Sequence, residues 1–369
     1  MNRRIALYVL IALTVLGFTD VKYGWSDMFA APQQPFQVEG FDRAAIPPRD
    51  PAAIHTGSLQ ADLAPGEMVK IRNSIGNINI TGADTNEVDL SYTIRVYAND
   101  QALAEEYLSG LKLDAVSSEG GLEIDLIKPG SRPKMISRVE IDIQGSLPNT
   151  AKVDLDNSMG DVHLADIAGP SHIKNQYGDA SIKGVKGNLT VHAPFGGIEI
   201  EDVNGTLVSS GNYGSTDVKN IIGDVSIDSD FCAIHAKEIT GSLSVKSSYS
   251  EATVENIDGN LTSETRFSTF TGRDIIGEVK TYSTYGRIHL EYISGDMVVD
   301  TKHSDVDVIL GAFDHNLSLE ANQGGIILKG ELAGLKPVTS GETRTLEQVL
   351  GRGTHNVQIT TVLGSISVK

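Results

Sequence analysis

Apolar and polar residues alternate with period two through the middle of the chain, and that alternation itself repeats. Between residues 157 and 300, eight units of eighteen residues follow one another without insertion or deletion, from NSMGDVHLADIAGPSHIK to STYGRIHLEYISGDMVVD. Period two is the strand signature, and a fixed longer period marks stacked repeats. With slots counted from one to eighteen, slots six, eight, fifteen and seventeen are mostly apolar, and slot eleven is always Ile or Val, from Ile167 to Ile293. Slot thirteen is always Gly: Gly169, Gly187, Gly205, Gly223, Gly241, Gly259, Gly277 and Gly295. Such an invariant position predicts a turn that needs positive φ or close backbone approach. Each unit splits into two similar halves, as in GDASI followed by GNLTV, each opening a short strand. The expected fold is all-β, a single-stranded parallel β-solenoid with two strands per coil, whose core exists only because coils stack. At a strand spacing of ~4.8 Å the array would extend about 40 Å, and the bias of parallel crossovers predicts right-handed winding.

The flanks read differently. Arg3 and Arg4 precede an apolar run from Ile5 to Phe18, the pattern of an export signal, and residues 1–31 are expected to be a cleaved signal or a retained N-terminal anchor. Residues 32–64, rich in Pro, Gln, Ala and Asp, lack periodicity and are expected as a linker. From Met68, VKIRNSIGNINI matches VDLDNSMGDVHL at 153–164 slot for slot, so the solenoid phrase occurs once before the array. Between the two copies the pattern predicts strands at 87–97, 111–116, 122–127 and 138–144, with a Gly120-Gly121 hairpin. A helix is expected over 100–108, capped by Asp100, with Leu103, Tyr107 and Leu108 on one face and Gly110 at its end. Residues 65–156 are thus expected to form an N-terminal α+β cap. Beyond Asp300 the period weakens and Phe313 stands in the Gly slot. Residues 301–369 are expected as degenerate terminal coils, LEANQGGIILK and ITTVLGSISVK, and a C-terminal cap with a short helix near 345–350.

This combination of signal, cap and phrases such as NSMGDVHLADIAG and NQYGDASIKGVKG resembles the putative-adhesin domain of unknown function found in bacterial envelope proteins, over about residues 65–369. The resemblance implies a β-solenoid outside the cytoplasm, periplasmic, surface-bound or secreted, that serves attachment or envelope stress; it implies no catalytic residues and no cofactor. The net charge of −18 argues against nucleic acid and anionic membrane surfaces as partners. An envelope protein or a glycan is the expected partner. The single cysteine, Cys232, permits no internal disulfide and reads as a small turn residue in slot four.

Candidate chemistry sits in the columns that the repeat creates. Slot three runs Met159, Tyr177, Phe195, Tyr213, Phe231, Tyr249, Phe267, Tyr285 and then His303. These rings are expected to stack at a coil corner, each pair adding ~0.5 to 1.5 kcal/mol beyond burial; the functional alternative is an exposed stripe that binds sugar rings. In slot nine Lys183, Glu201, Lys219, Lys237, Glu255, Arg273 and Glu291 form a ladder of mostly opposite charges, while slot ten places Asp166, Asp202, Glu238 and Asp274 on alternate coils. That spacing of about 10 Å is too wide for two carboxylates to share a metal. Asp161 and Asp179 are followed in slot five by Gly197, Ser215 and Ala233, so no calcium ladder of the nonapeptide type continues. A polysaccharide lyase or hydrolase would need converging ionisable groups. Its best candidates are Glu199 and Asp217 with His235, a row with no long insertion nearby to wall a cleft. The histidines show no HExxH spacing, and neither a metal nor a catalytic site is expected.

Overall fold

The structure is a computed structural model that describes residues 50–118, 120–128, 130–311 and 314–369. The expected export segment 1–31, the expected linker up to residue 49, and Phe313 lie outside the described residues. What is described is all-β with long, mostly parallel sheets and a solenoid-like arrangement. Pairing runs from each position to the one eighteen residues on. In one sheet Leu189 pairs Leu207, then Val225, Leu243, Leu261, Val279 and Met297. In the other Ile198 pairs Thr216, then Ile234, Ala252, Phe270 and Ile288. These columns are buried, as is slot eleven from Ile167 to Ile293. Where a large residue enters, its neighbours shrink to admit it. Phe270 is fully buried, and a Cβ on Gly272, two residues along, would stand 3.0 Å from Leu290 Cδ2 and 3.5 Å from Phe270 Cε1.

Three corners turn each coil, and each solves the backbone problem in its own way. Slot ten takes the left-handed conformation throughout, with φ of 54° to 59° at Asp166, Asp202, Asn220, Glu238, Asn256, Asp274 and Tyr292, and 70° at Gly184. Asn and Asp tolerate that region better than other side chains, which suits most of the residues found there. Slot thirteen is a matter of space. A Cβ on any of its eight glycines would lie 2.0 to 2.7 Å from backbone of the coil before; from Gly187 onward that backbone belongs to the preceding glycine. Five of them, Gly205, Gly223, Gly241, Gly259 and Gly277, also have φ of 142° to 157°. At slots three and four there are two solutions. Gly160, Gly178 and Gly214 carry positive φ themselves. Where slot four is Cys232, Ser250, Ser268 or Ser304, the residue before it turns left-handed instead: Phe231, Tyr249, Phe267 and His303, at 52° to 61°.

Side chains complete the backbone bonding at these corners. Asn188, Asp224 and Asn260 in slot fourteen each accept, through Oδ1, the backbone N–H one coil on, at 2.9 to 3.1 Å from Thr206, Ser242 and Glu278. They stand on every second coil. Slot ten places its acids, and slot three its tyrosines, at the same double interval, so these columns carry a thirty-six-residue period inside the eighteen.

Both ends of the stack depart from chain order. The first strands are β1 (Ala53–Asp62), β2 (Met68–Asn73), β3 (Ile78–Ala83), β4 (Glu87–Ala98), β5 (Lys112–Ser118), β6 (Gly121–Ile127), β7 (Ile136–Pro148), β8 (Lys152–Asn157) and β9 (Val162–Ala165). A helix, α1 (Gln101–Ser109), follows β4; the side chain of Asp100 accepts from Leu103 N at 3.2 Å, and Ala104 and Tyr107 are buried. β2 lies in parallel between β6 and β8, and β3 between β7 and β9. Antiparallel pairs β5–β6, β4–β7 and β1–β4 then close the stack. At the far end Met297–Ile309 pairs not with the next strand but with His355–Val362 and Ile366–Val368. His315–Asn322 and Ile326–Leu328 pack on the outer side of those last strands. The final coil of the chain is thus inserted between two earlier ones.

Two expectations are corrected. The stretch assigned to a linker through residue 64 contains β1, paired over ten residues with β4; it escaped the pattern because this edge strand buries only Ala53 and Leu59. The helix expected at 345–350 is part of a strand, Thr343–Val349, antiparallel to His315–Asn322 and to Val338–Ser340. Cross-strand pairing there overrides a weak helical propensity.

Phe270→Ala is expected to cost ~3–5 kcal/mol through cavity formation, read as a lowered urea midpoint. Gly241→Ala combines a positive φ of 142° with a Cβ only 2.3 Å from Gly223 O, and is expected to destabilise by at least ~1–3 kcal/mol in the same measurement.

Candidate functional site

The slot-three corner presents its side chains outward, and strand spacing brings them face to face. From Tyr177 to His303, eight rings stack with centroids 4.5 to 5.5 Å apart and planes within 2° to 11° of parallel. Tyr177, Phe195, Tyr213, Phe231, Tyr249, Phe267 and Tyr285 are nonetheless 42 to 53% exposed. The arrangement is therefore a ladder whose inner faces are covered by neighbouring rings and whose edges meet solvent. A sugar ring stacks on an aromatic face, and inside the ladder no face is free. An aromatic edge carries the positive rim of the ring quadrupole, so the strip favours oxygen-rich groups approaching side-on. Four tyrosines place a hydroxyl on every second coil.

Beside the ladder, slots eighteen, one and two of five successive coils line a shallow open groove of about 650 Å³. It carries charges of both signs. Asp228, Lys246, Glu264 and Asp300 stand on one row with Tyr282, and Asp230, Arg266 and Lys302 on the other. Lys246 Nζ lies 3.4 Å from Glu264. Sequence reasoning missed this groove: its charged residues belong to outward slots eighteen and two of mixed composition, while the slot-one residues between them, Ser247, Thr265, Ser283 and Thr301, are buried.

The other candidates take structural places. In slot nine Lys183 donates to Glu201 at 2.7 Å, and Arg273 reaches Glu291 at 2.7 Å and Glu255 at 3.2 Å. Glu291 also lies 2.7 Å from His289 Nε2. The hydrogen bond from His289, and then that from Arg273, holds the Glu291 carboxyl below its ordinary value. Asp161 and Asp179 use their carboxylates as backbone acceptors, from Asp179 N at 2.9 Å and Gly197 N at 2.7 Å. Glu199, Asp217 and His235 sit opposite one another on adjacent strands. Glu199 and His235 are exposed and Asp217 is half-buried. Among the described residues no group of three His, Cys, Asp or Glu side chains is placed to hold a metal ion. Nor is any helix among them long and apolar enough to cross a membrane.

No family model matches the chain, and no curated protein matches it. Two solved structures are similar over 85% of its length. One is a putative cell adhesion protein from Clostridium sporogenes, 11% identical, matched over 99% of its own chain with a TM-score of 0.17. The other is a putative adhesin from Bacteroides fragilis, 12% identical, matched over 97% with a TM-score of 0.27. Scores this low carry no functional argument from those molecules to this one.

Because Glu291 is held below the ordinary glutamate range, the folded chain binds that proton less readily than the unfolded chain. Its contribution is present above the unfolded value of about 4.3 and is lost as pH falls through the lower folded value. Unfolding curves of the wild type and Glu291→Gln are expected to differ at neutral pH and to converge in acid. A gap that persists unchanged to the lowest pH would show that the charge of Glu291 is not responsible.

Proposed function

We propose that the chain is a non-enzymatic, exported interaction protein of the adhesin kind in the bacterial cell envelope, a right-handed solenoid that binds an extended, oxygen-rich polymer along its ladder edge. The single observation that carries this reading is the pairing of eight stacked ring edges with a parallel groove that carries charges of both signs. Repetition along the axis suits a ligand that itself repeats. A glycan fits that description first: its hydroxyls match both the positive ring rims and the tyrosine hydroxyls. The open setting of Glu199, Asp217 and His235, without a wall to exclude water, supports binding over catalysis.

The test is a glycan-array screen with the full chain beside two variants. Tyr213→Phe/Tyr249→Phe keeps the stack and removes two hydroxyls; at about 1 kcal/mol per hydrogen bond it is expected to weaken binding several-fold per hydroxyl with stability unchanged. Tyr213→Ala/Tyr249→Ala opens gaps in the ladder and is expected to abolish binding. The chain should not be begun at residue 65, since that removes β1. No glycan bound by the wild type would eliminate the glycan reading, and binding indifferent to both variants would remove the ladder from it.

A further inference from the structure

The cap holds a second concave site, far more enclosed than the ladder groove. Tyr107 at the end of α1, Leu111 after it, Leu126 of β6 and Val139 and Ile141 of β7 surround a pocket of about 350 Å³, the lower end of the range that small-molecule sites occupy. Its lining carries three cations, Arg72, Lys128 and Arg132, against one acid, Asp125. In a chain of net charge −18, with 48 acidic and 30 basic residues, such a mouth runs against the whole molecule. Two of those charges are already engaged. Arg72 pairs with Glu123 at 2.7 Å, and Asp125 accepts its neighbour's backbone N–H, from Leu126, at 2.7 Å. Lys128 and Arg132 are exposed and make no ion pair among the described residues. An apolar floor beneath two uncommitted cations is complementary to a ligand with an apolar body and one anionic end.

We propose that this cap pocket binds a small amphipathic anion, an aliphatic chain ending in a carboxylate or phosphate. The chain fills the space among Tyr107, Leu111, Leu126 and Ile141 while Lys128 and Arg132 hold the head. The pocket is independent of the ladder, so a polymer on one and an amphiphile on the other can be bound at once.

Calorimetric titration of the full chain with decanoate and decyl phosphate tests the proposal, with decanol and decyltrimethylammonium as neutral and cationic counterparts. Saturable binding is expected for both anions, at least about tenfold tighter than for either counterpart. Lys128→Glu/Arg132→Glu, at exposed positions, is expected to lose at least about tenfold in affinity for the anions while its thermal midpoint stays that of the wild type. Co-sedimentation with phosphatidylglycerol vesicles separates the sources of the head. Capture that depends on Lys128 and Arg132 would make it a lipid in a bilayer, and anion binding without capture would make it a free amphiphile. Anions bound no better than decanol, or a charge-reversed variant that binds as the wild type does, would overturn the site.

Discussion

Stacking like on like at strand spacing governs this molecule. Residues inside the array lie one strand away from those eighteen positions before and after them, so any side-chain choice is made twice over, against its own coil and against its neighbours. Apolar residues profit from this rule as long as volume is shared among neighbours, as Phe270 shows beside Gly272. Glycine becomes obligatory where two backbones touch, as in the column from Gly187 to Gly295. Aromatic rings gain as well, because rings whose centroids the backbone holds 4.9 Å apart stack without further ordering of the chain. That gain helps offset the left-handed conformation of Phe231, Tyr249 and Phe267, which non-glycine residues ordinarily avoid at ~1–2 kcal/mol.

Charge obeys the opposite logic. Identical ions on adjacent coils would repel at close range, and the double interval answers this. In slot ten Asp202 faces Asn220, which donates to it, before the next acid arrives at Glu238. In slot nine Arg273 stands between Glu255 and Glu291 and bonds both. In slot fourteen Asn188 and Asp224 reach up to the backbone of the next coil, where the facing residue, Thr206 or Ser242, is small. The rule is partial: Glu199 faces Asp217, and Lys219 faces Lys237, on adjacent coils.

How much of this could be read from the residues varied with the periodicity. Slots eleven and thirteen were legible because a stacked environment leaves them almost no choice, and the helix after Asp100 because cap, face and stop agree. The exposure of the ladder was not legible: an aromatic column every eighteen residues looks the same buried or bare, and only the corner geometry decides it. β1 was hidden because a strand with one neighbour and one wet face need not alternate. The order of coils at either end was also invisible. Any phrase with the same apolar slots fits any place in the stack, so VKIRNSIGNINI and ITTVLGSISVK announce that they are coils and not which coils they touch.

The inserted final coil makes synthesis and architecture run out of step. When a ribosome has made Met297–Ile309, the partner that belongs on it, His355–Val362, is still dozens of residues from existing, whereas His315–Asn322 follows at once with a matching apolar face. The growing chain thus meets a plausible wrong neighbour before the right one. The far end of the stack is therefore assembled out of chain order, its middle coil being made after both of its neighbours.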